Sequence, residues 1–136
     1  MEYVGYSIQN MFPSNDALAS GWKWNAAVKP DAVLLADLNP GGKAVTTVTP
    51  DSPRAEMMKA NSPNHGGEGQ NVCYGDGHVE WQSTPFCGQA ERQGGPRDNI
   101  YCRGAGATGD PIIGPGVGAF DSVLLPPADY KAAGSK

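Results

Sequence analysis

His65 and His78 are the two histidines of this 136-residue chain, and Glu68, Asp76 and Glu80 stand beside them in sequence. Imidazoles and carboxylates grouped in this way can hold a divalent cation or pass a proton as general acid and base. Both chemistries require convergence. Asp76 falls in a turn and His65 in a glycine-rich loop, and only His78 with Glu80 shares one face of an extended segment. A more economical role for His65 is a hydrogen bond to a carboxylate or carbonyl that pins its loop. Asp37 with Asn39, and Asp98 with Asn99, are hard-oxygen clusters of the kind calcium uses. They lack the spacing of a calcium loop, and Asx side chains serve equally to cap turns. The metal candidates are therefore His65, His78, Asp37 and Asp98, calcium is the ion the oxygen clusters suit, and no cofactor is expected. The chain has no Gly-x-Ser-x-Gly elbow, phosphate loop or paired-carboxylate pattern. Gly66-Gly67-Glu68-Gly69 leads into a strand, so it has no helix N-terminus with which to hold phosphate. An enzyme is not expected.

The elements that must position these groups form a β-hairpin. Val72-Cys73-Tyr74 and His78-Val79-Glu80-Trp81 are strand-like runs, and Asp76-Gly77 between them suits a two-residue type I′ turn. That register pairs Tyr74 with Val79 and Val72 with Trp81. It predicts one wholly apolar face of Val72, Tyr74, Val79 and Trp81, with Asn71, Cys73, His78, Glu80 and Gln82 on the other. His65 is the expected brace of this folding motif.

The same stretch, Asn-His-Gly-Gly-Glu-Gly-Gln-Asn-Val-Cys-Tyr-Gly-Asp-Gly-His-Val-Glu-Trp from Asn64 to Trp81, carries a family likeness. It resembles the signature of prepilin-type, pilin-like or pseudopilin-like secreted bacterial proteins with a "His, nine residues, Asp-Gly" motif, abundant in planctomycete-like bacteria. Ala36-Asp37-Leu38-Asn39-Pro40, Asn61-Ser62-Pro63 and Arg97-Asp98-Asn99-Ile100-Tyr101 extend the likeness over Tyr3 to Cys102. Ten residues, not nine, separate His65 from Asp76, and Cys73 stands where such sequences carry a bulky apolar residue. The resemblance implies a pilin-like N-terminal helix followed by a secreted β-rich domain. An apolar prepilin helix and processing site do not occur in this sequence, so the expectation is the outer portion of a longer precursor, or assembly by another route.

Nineteen glycines and twelve prolines against 39% apolar residues and three tryptophans predict a folded but loop-rich β protein with a thin core. The expected fold class is mainly β, a β-rich α+β domain. It would have a small antiparallel sheet around the hairpin, one or two short helices and long Gly/Pro-rich loops, as in a pilin-like globular domain without its long helix. The length suits one domain over residues 1–136 with extended arms at 1–13 and 104–136. Tyr3 to Gln9 reads as a strand or arm, and Ser14 to Ala19 as one helical turn with Ser14 as N-cap. Asp31 to Ala36 reads as a central strand, Ala44 to Thr49 as a further Val/Thr-rich strand, and Asp51 to Ala60 as a short helix. Gly88 to Gly118 offers few core residues beyond Ile100-Tyr101 and Ile112-Ile113 before Ala119 to Leu125 recovers strand character. Cys73, Cys87 and Cys102 lack metal-ligand spacing. A Cys87–Cys102 disulfide would restrain the loop between them by ~3 kcal/mol, leaving Cys73 free; the alternative is three reduced, partly buried thiols.

A net charge of −4 with scattered basic residues argues against a nucleic-acid partner, and no run approaches the ~20 apolar residues of a membrane span. The resemblance and the composition together suggest a non-enzymatic, extracellular or cell-surface structural protein. It would be a filament subunit whose partners are copies of itself, with glycan attachment left open. Assembly is expected through strand or arm exchange, the Tyr3–Gln9 arm or the Ala119–Leu125 tail adding to a neighbour's sheet edge. Tyr3, Tyr6, Trp22, Trp24, Phe120, Leu124 and Leu125 are the candidate subunit contacts. The competing expectations are a monomeric carbohydrate- or metal-binding surface module using Trp22, Trp24, His65 and His78, and a minor pseudopilin of a secretion system.

Overall fold

The apolar run after Asp31 becomes β2 (Val33–Asp37), the middle strand of a five-stranded antiparallel sheet in the computed structural model, which describes residues 5–25, 27–90, 92–104 and 115–125. On one side of β2 lie β3 (Gln70–Tyr74) and β4 (Val79–Gln82). On the other lie β1 (Tyr6–Gln9) and β7 (Leu124–Leu125), in the order β4-β3-β2-β1-β7. The expected β-rich α+β architecture is therefore present, with the hairpin at one side of the sheet and β2 at its centre.

Both segments assigned to exchange between subunits are used within the chain. Ile8 and Gln9 pair with Leu125 and Leu124, and Ser7 and Ile8 pair with Ala36 and Leu35. The Ala119–Leu125 tail contributes only its last two residues as strand, while Tyr3 and residues 126–136 lie outside the described residues, as does Ile112-Ile113.

Among the described residues, three short helices connect the strands. In α1 (Asn15–Ala19) the Ser14 hydroxyl accepts from the Ala17 N–H at 3.1 Å, as an N-cap serine should. Where Ala44 to Thr49 is expected to form a strand, the chain instead forms α2 (Lys43–Thr47). The Thr46 and Thr47 hydroxyls donate back to the Lys43 carbonyl at 3.0 and 3.1 Å, and Val45 is fully buried. Tertiary burial thus overrides a modest β propensity. The Asp51–Ala60 helix forms as α3 (Arg54–Ala60), capped by Pro53 without a side-chain bond, and Pro63–His65 adds a 3-10 turn.

The described start of the Gly88–Gly118 stretch contains more regular structure than its composition suggests. β5 (Phe86–Ala90) and β6 (Arg97–Asn99) form a second, two-stranded sheet. Their ladder aligns Phe86 with Asn99, which leaves Cys102 out of register with Cys87. The expected disulfide is not formed, and no disulfide links Cys73, Cys87 or Cys102.

Residues from both sheets and α2 make the main core, which includes Val33, Ala36, Val45, Val72, Tyr74, Cys87, Ile100, Tyr101, Cys102 and Leu124. Val33 and Ala36 both point inward although three apart, because a bulge between Val33 and Leu35 inserts one residue into β2. A satellite of Val48, Met57 and Ala60 packs against Phe86.

Candidate functional site

The hairpin differs from its expected register by one residue. Cys73 pairs with Val79, Val72 with Glu80 and Asn71 with Trp81. Tyr74 faces His78, its N–H donating to the His78 carbonyl at 3.0 Å. The loop is therefore the three residues Gly75-Asp76-Gly77, of which only Gly77 has a positive φ, at 88°. This is the geometry of a turn closed by a left-handed glycine rather than a type I′ turn. The slip sends side chains to opposite faces. Val72 and Tyr74 stay in the core, but Val79 is 60% and Trp81 49% exposed on the other side. The single apolar face expected of Val72, Tyr74, Val79 and Trp81 is split between the two surfaces of the sheet.

Strand registers carry the outward set across the whole sheet. Leu125 pairs with Ile8, Ile8 with Leu35, Leu35 with Cys73 and Cys73 with Val79, so one row of apolar side chains crosses all five strands. At the usual strand separation it is about 19 Å long. Ile8 and Leu35 are exposed, and Leu125 and Cys73 half-buried. Alongside runs a second row of exposed Tyr6, half-buried Asp37, and exposed Asn71 and Trp81.

Asp37 is the polar centre of this face. Its Oδ2 accepts from the Asn71 N–H at 2.7 Å and lies 3.1 Å from His65 Nε2. The Asn64 side chain reaches Oδ1 at 3.5 Å and also donates to the Gly5 carbonyl. The His65 ring sits edge-on to Trp81, with centroids 5.1 Å apart. His65 thus links the 3-10 turn to Asp37 on β2 and to Trp81 on β4.

His78 lies elsewhere. Its ring stacks on Tyr74 with centroids 4.7 Å apart, Nδ1 contacts Asp76 Oδ1, and Nε2 is 3.5 Å from Glu80 Oε1. Hydrogen bonds from the His78 backbone and ring hold the Asp76 carboxyl below its usual range. The two histidines occupy opposite faces of the hairpin, and among the described residues no three His, Cys, Asp or Glu side chains come together as metal ligands. Asp98 accepts the Ser122 N–H at 2.7 Å. Asn39 donates to the Tyr101 and Leu124 carbonyls at 3.0 and 2.8 Å, and Asn99 to that of Val45 at 3.1 Å. These Asx groups tie separate segments of the chain together.

The candidate contact residues also separate. Tyr6 and Leu125 belong to the open face, whereas Leu124 is fully buried in the core. Trp22, Trp24 and Phe120 line a cleft on the covered side of the sheet, alongside inward-pointing Gln9 and Val33. Reading the sequence alone missed Leu35 and Ile8, whose place on the open face depends on the bulge in β2 and the pairing of β1. No helix among the described residues is long and apolar enough to cross a membrane. No protein-family model matches the sequence, and no curated protein or solved structure matches it.

Proposed function

We propose that this chain is a structural subunit of an extracellular filament or cell-surface assembly, pilin-like in kind, and that it assembles by burying the open face of its sheet against a neighbouring copy. The observation that carries this reading is the outward apolar row from Leu125 through Ile8, Leu35 and Cys73 to Val79, in which Ile8, Leu35 and Val79 are exposed, flanked by exposed Tyr6 and Trp81. An antiparallel sheet with one face on the core ordinarily presents polar residues on the other. A contiguous apolar patch is a mark of an interaction surface. The polar groups within it, Asp37, His65 and Asn71, already satisfy one another, so covering them leaves few bonds to be replaced.

The likeness of the Asn64 to Trp81 stretch to prepilin-type proteins supports the same reading. Face burial replaces strand exchange as the mechanism, because β1 and β7 pair with each other and an exchange would have to undo Ile8–Leu125 and Gln9–Leu124. Contact by unlike surfaces propagates into a fibre, and contact by like surfaces closes a dimer.

Sedimentation and electron micrographs of the purified chain test the proposal. The wild type should form concentration-dependent assemblies, and Ile8→Glu with Leu35→Glu should leave a folded monomer. Assemblies that persist in that double variant, or a wild type that stays monomeric at every concentration, would reject it.

A further inference from the structure

The cleft on the covered side of the sheet is independent of the open face and has a different chemistry. Its volume is about 250 Å³, below the range of pockets that hold drug-sized ligands, so its occupant is about one ring in size. One wall is the Trp22–Trp24 pair, with indoles within 13° of parallel and centroids 6.4 Å apart. A ring held between two others needs about 7–8 Å, twice the carbon–carbon contact distance, so nothing enters between the indoles. A ligand stacks against the pair, and Trp24, 37% exposed, is the accessible member.

The polar lining combines buried amides and hydroxyls with the charged side chains of Lys23, Lys29 and Asp121. Gln9 and Gln89 are 5% and 7% exposed, and both line the cleft with Ser20 and Ser122. Gln89 is oriented by Asp31, to which its Nε2 donates at 3.0 Å. Side-chain amides and hydroxyls both donate and accept, which matches a ligand whose own groups do the same. Of the three charges, Lys23 is exposed at the rim and the other two are already engaged. Lys29 Nζ sits 4.3 Å from the centroid of the Phe120 ring, and Asp121 Oδ2 accepts the Gly104 and Val117 N–H groups at 2.9 and 2.6 Å.

We infer that this cleft binds one neutral sugar ring, its C–H face against Trp24 and its hydroxyls toward Gln89, Gln9 and the serines. The negative face of an indole attracts the positively polarised C–H groups of a pyranose, while equatorial hydroxyls at the rim of such a ring reach flanking amides. Neutral methyl pyranosides of gluco, galacto, manno and N-acetylglucosamine configuration are the probes, added to the full chain while the indole Nε1–H resonances are followed by NMR. At least one probe should shift the Trp22 and Trp24 signals saturably and leave that of Trp81, on the opposite face of the sheet, in place. Trp24→Ala, a change at an exposed side chain, should keep the fold by circular dichroism and weaken binding about tenfold or more. The inference is overturned if no neutral probe gives a saturable shift, if Trp24→Ala binds as well as wild type, or if only glucuronate or phosphate binds and salt abolishes the effect. Because Trp24 is remote from the row of Ile8 and Leu35, loss of sugar binding and loss of assembly are separable outcomes.

Discussion

Asp37 on β2 and His65 in the turn before β3 meet at 3.1 Å, and the oxygen that faces the imidazole also accepts the Asn71 N–H at 2.7 Å. One carboxylate thus joins the central strand, the hairpin and the turn. Its side chain is 18% exposed whereas that of His65 is 42% exposed, so the two partners should not contribute equally.

Asp37→Ala is expected to destabilise the fold by about 1–3 kcal/mol, because the Asn71 N–H loses its acceptor. His65→Ala removes a more solvated pair and should cost less than about 1 kcal/mol. Urea denaturation of the two variants checks the order. A larger loss for His65→Ala would mean that the imidazole, and not the carboxylate, organises this face.

The three-residue hairpin loop predicts which side chains tolerate change. Val79→Thr, at an outward position, should alter stability by no more than about 0.5 kcal/mol, while Val72→Ala, in the core, should cost about 2 kcal/mol. Gly77→Ala should cost about 1 kcal/mol through its positive φ alone, since an added methyl group meets nothing within 4 Å. Equal losses at Val79 and Val72 would favour the alternative two-residue turn.

Stability should fall in alkali. Burial pushes the Cys87 thiol from 9.0 up to about 12, and it pushes the Tyr74 phenol from 10.0 up to about 12. Burial also raises the Tyr101 phenol. The folded state therefore holds protons that the unfolded chain releases, so stability is full below about pH 9 and declines as the pH rises toward 12. Denaturation midpoints between pH 8 and pH 11 should show this slope, and Tyr74→Phe should flatten it. A midpoint independent of pH over that range would contradict the burial of these groups.

Thiol titration gives a direct count. Cys87 and Cys102 are each 1% exposed and Cys73 is half-buried, so native protein should react with Ellman's reagent only at Cys73, and slowly. Unfolded protein without reductant should show three thiols. A count of one after unfolding would indicate the Cys87–Cys102 bond that the β5–β6 register argues against.

Much of the fold is legible in local patterns. The Ser14 cap, the apolar run into β2, the α3 helix and the existence of the hairpin each rest on a few neighbouring residues whose preferences agree. The Asp37 contact of His65 was not readable, because a histidine in a glycine loop can point in many directions. Nor was the α2 segment, since Val-Thr composition favours a strand until the burial of Val45 decides otherwise. The β5–β6 pair was missed because its strands hold Gly88, Gln89 and Asp98 at buried positions, with no alternation to reveal them.

By itself, then, the sequence determined a β-rich chain with a hairpin and a central apolar strand, since these follow from residue type and short-range spacing. Tertiary structure alone decided which side of the sheet each outward residue occupies. One residue of slip at Gly75-Asp76-Gly77 and one bulged residue in β2 reverse the facing of every side chain beyond them. Those two details move Val79 and Trp81 out of the core and align them with Leu35 and Ile8 on the open face.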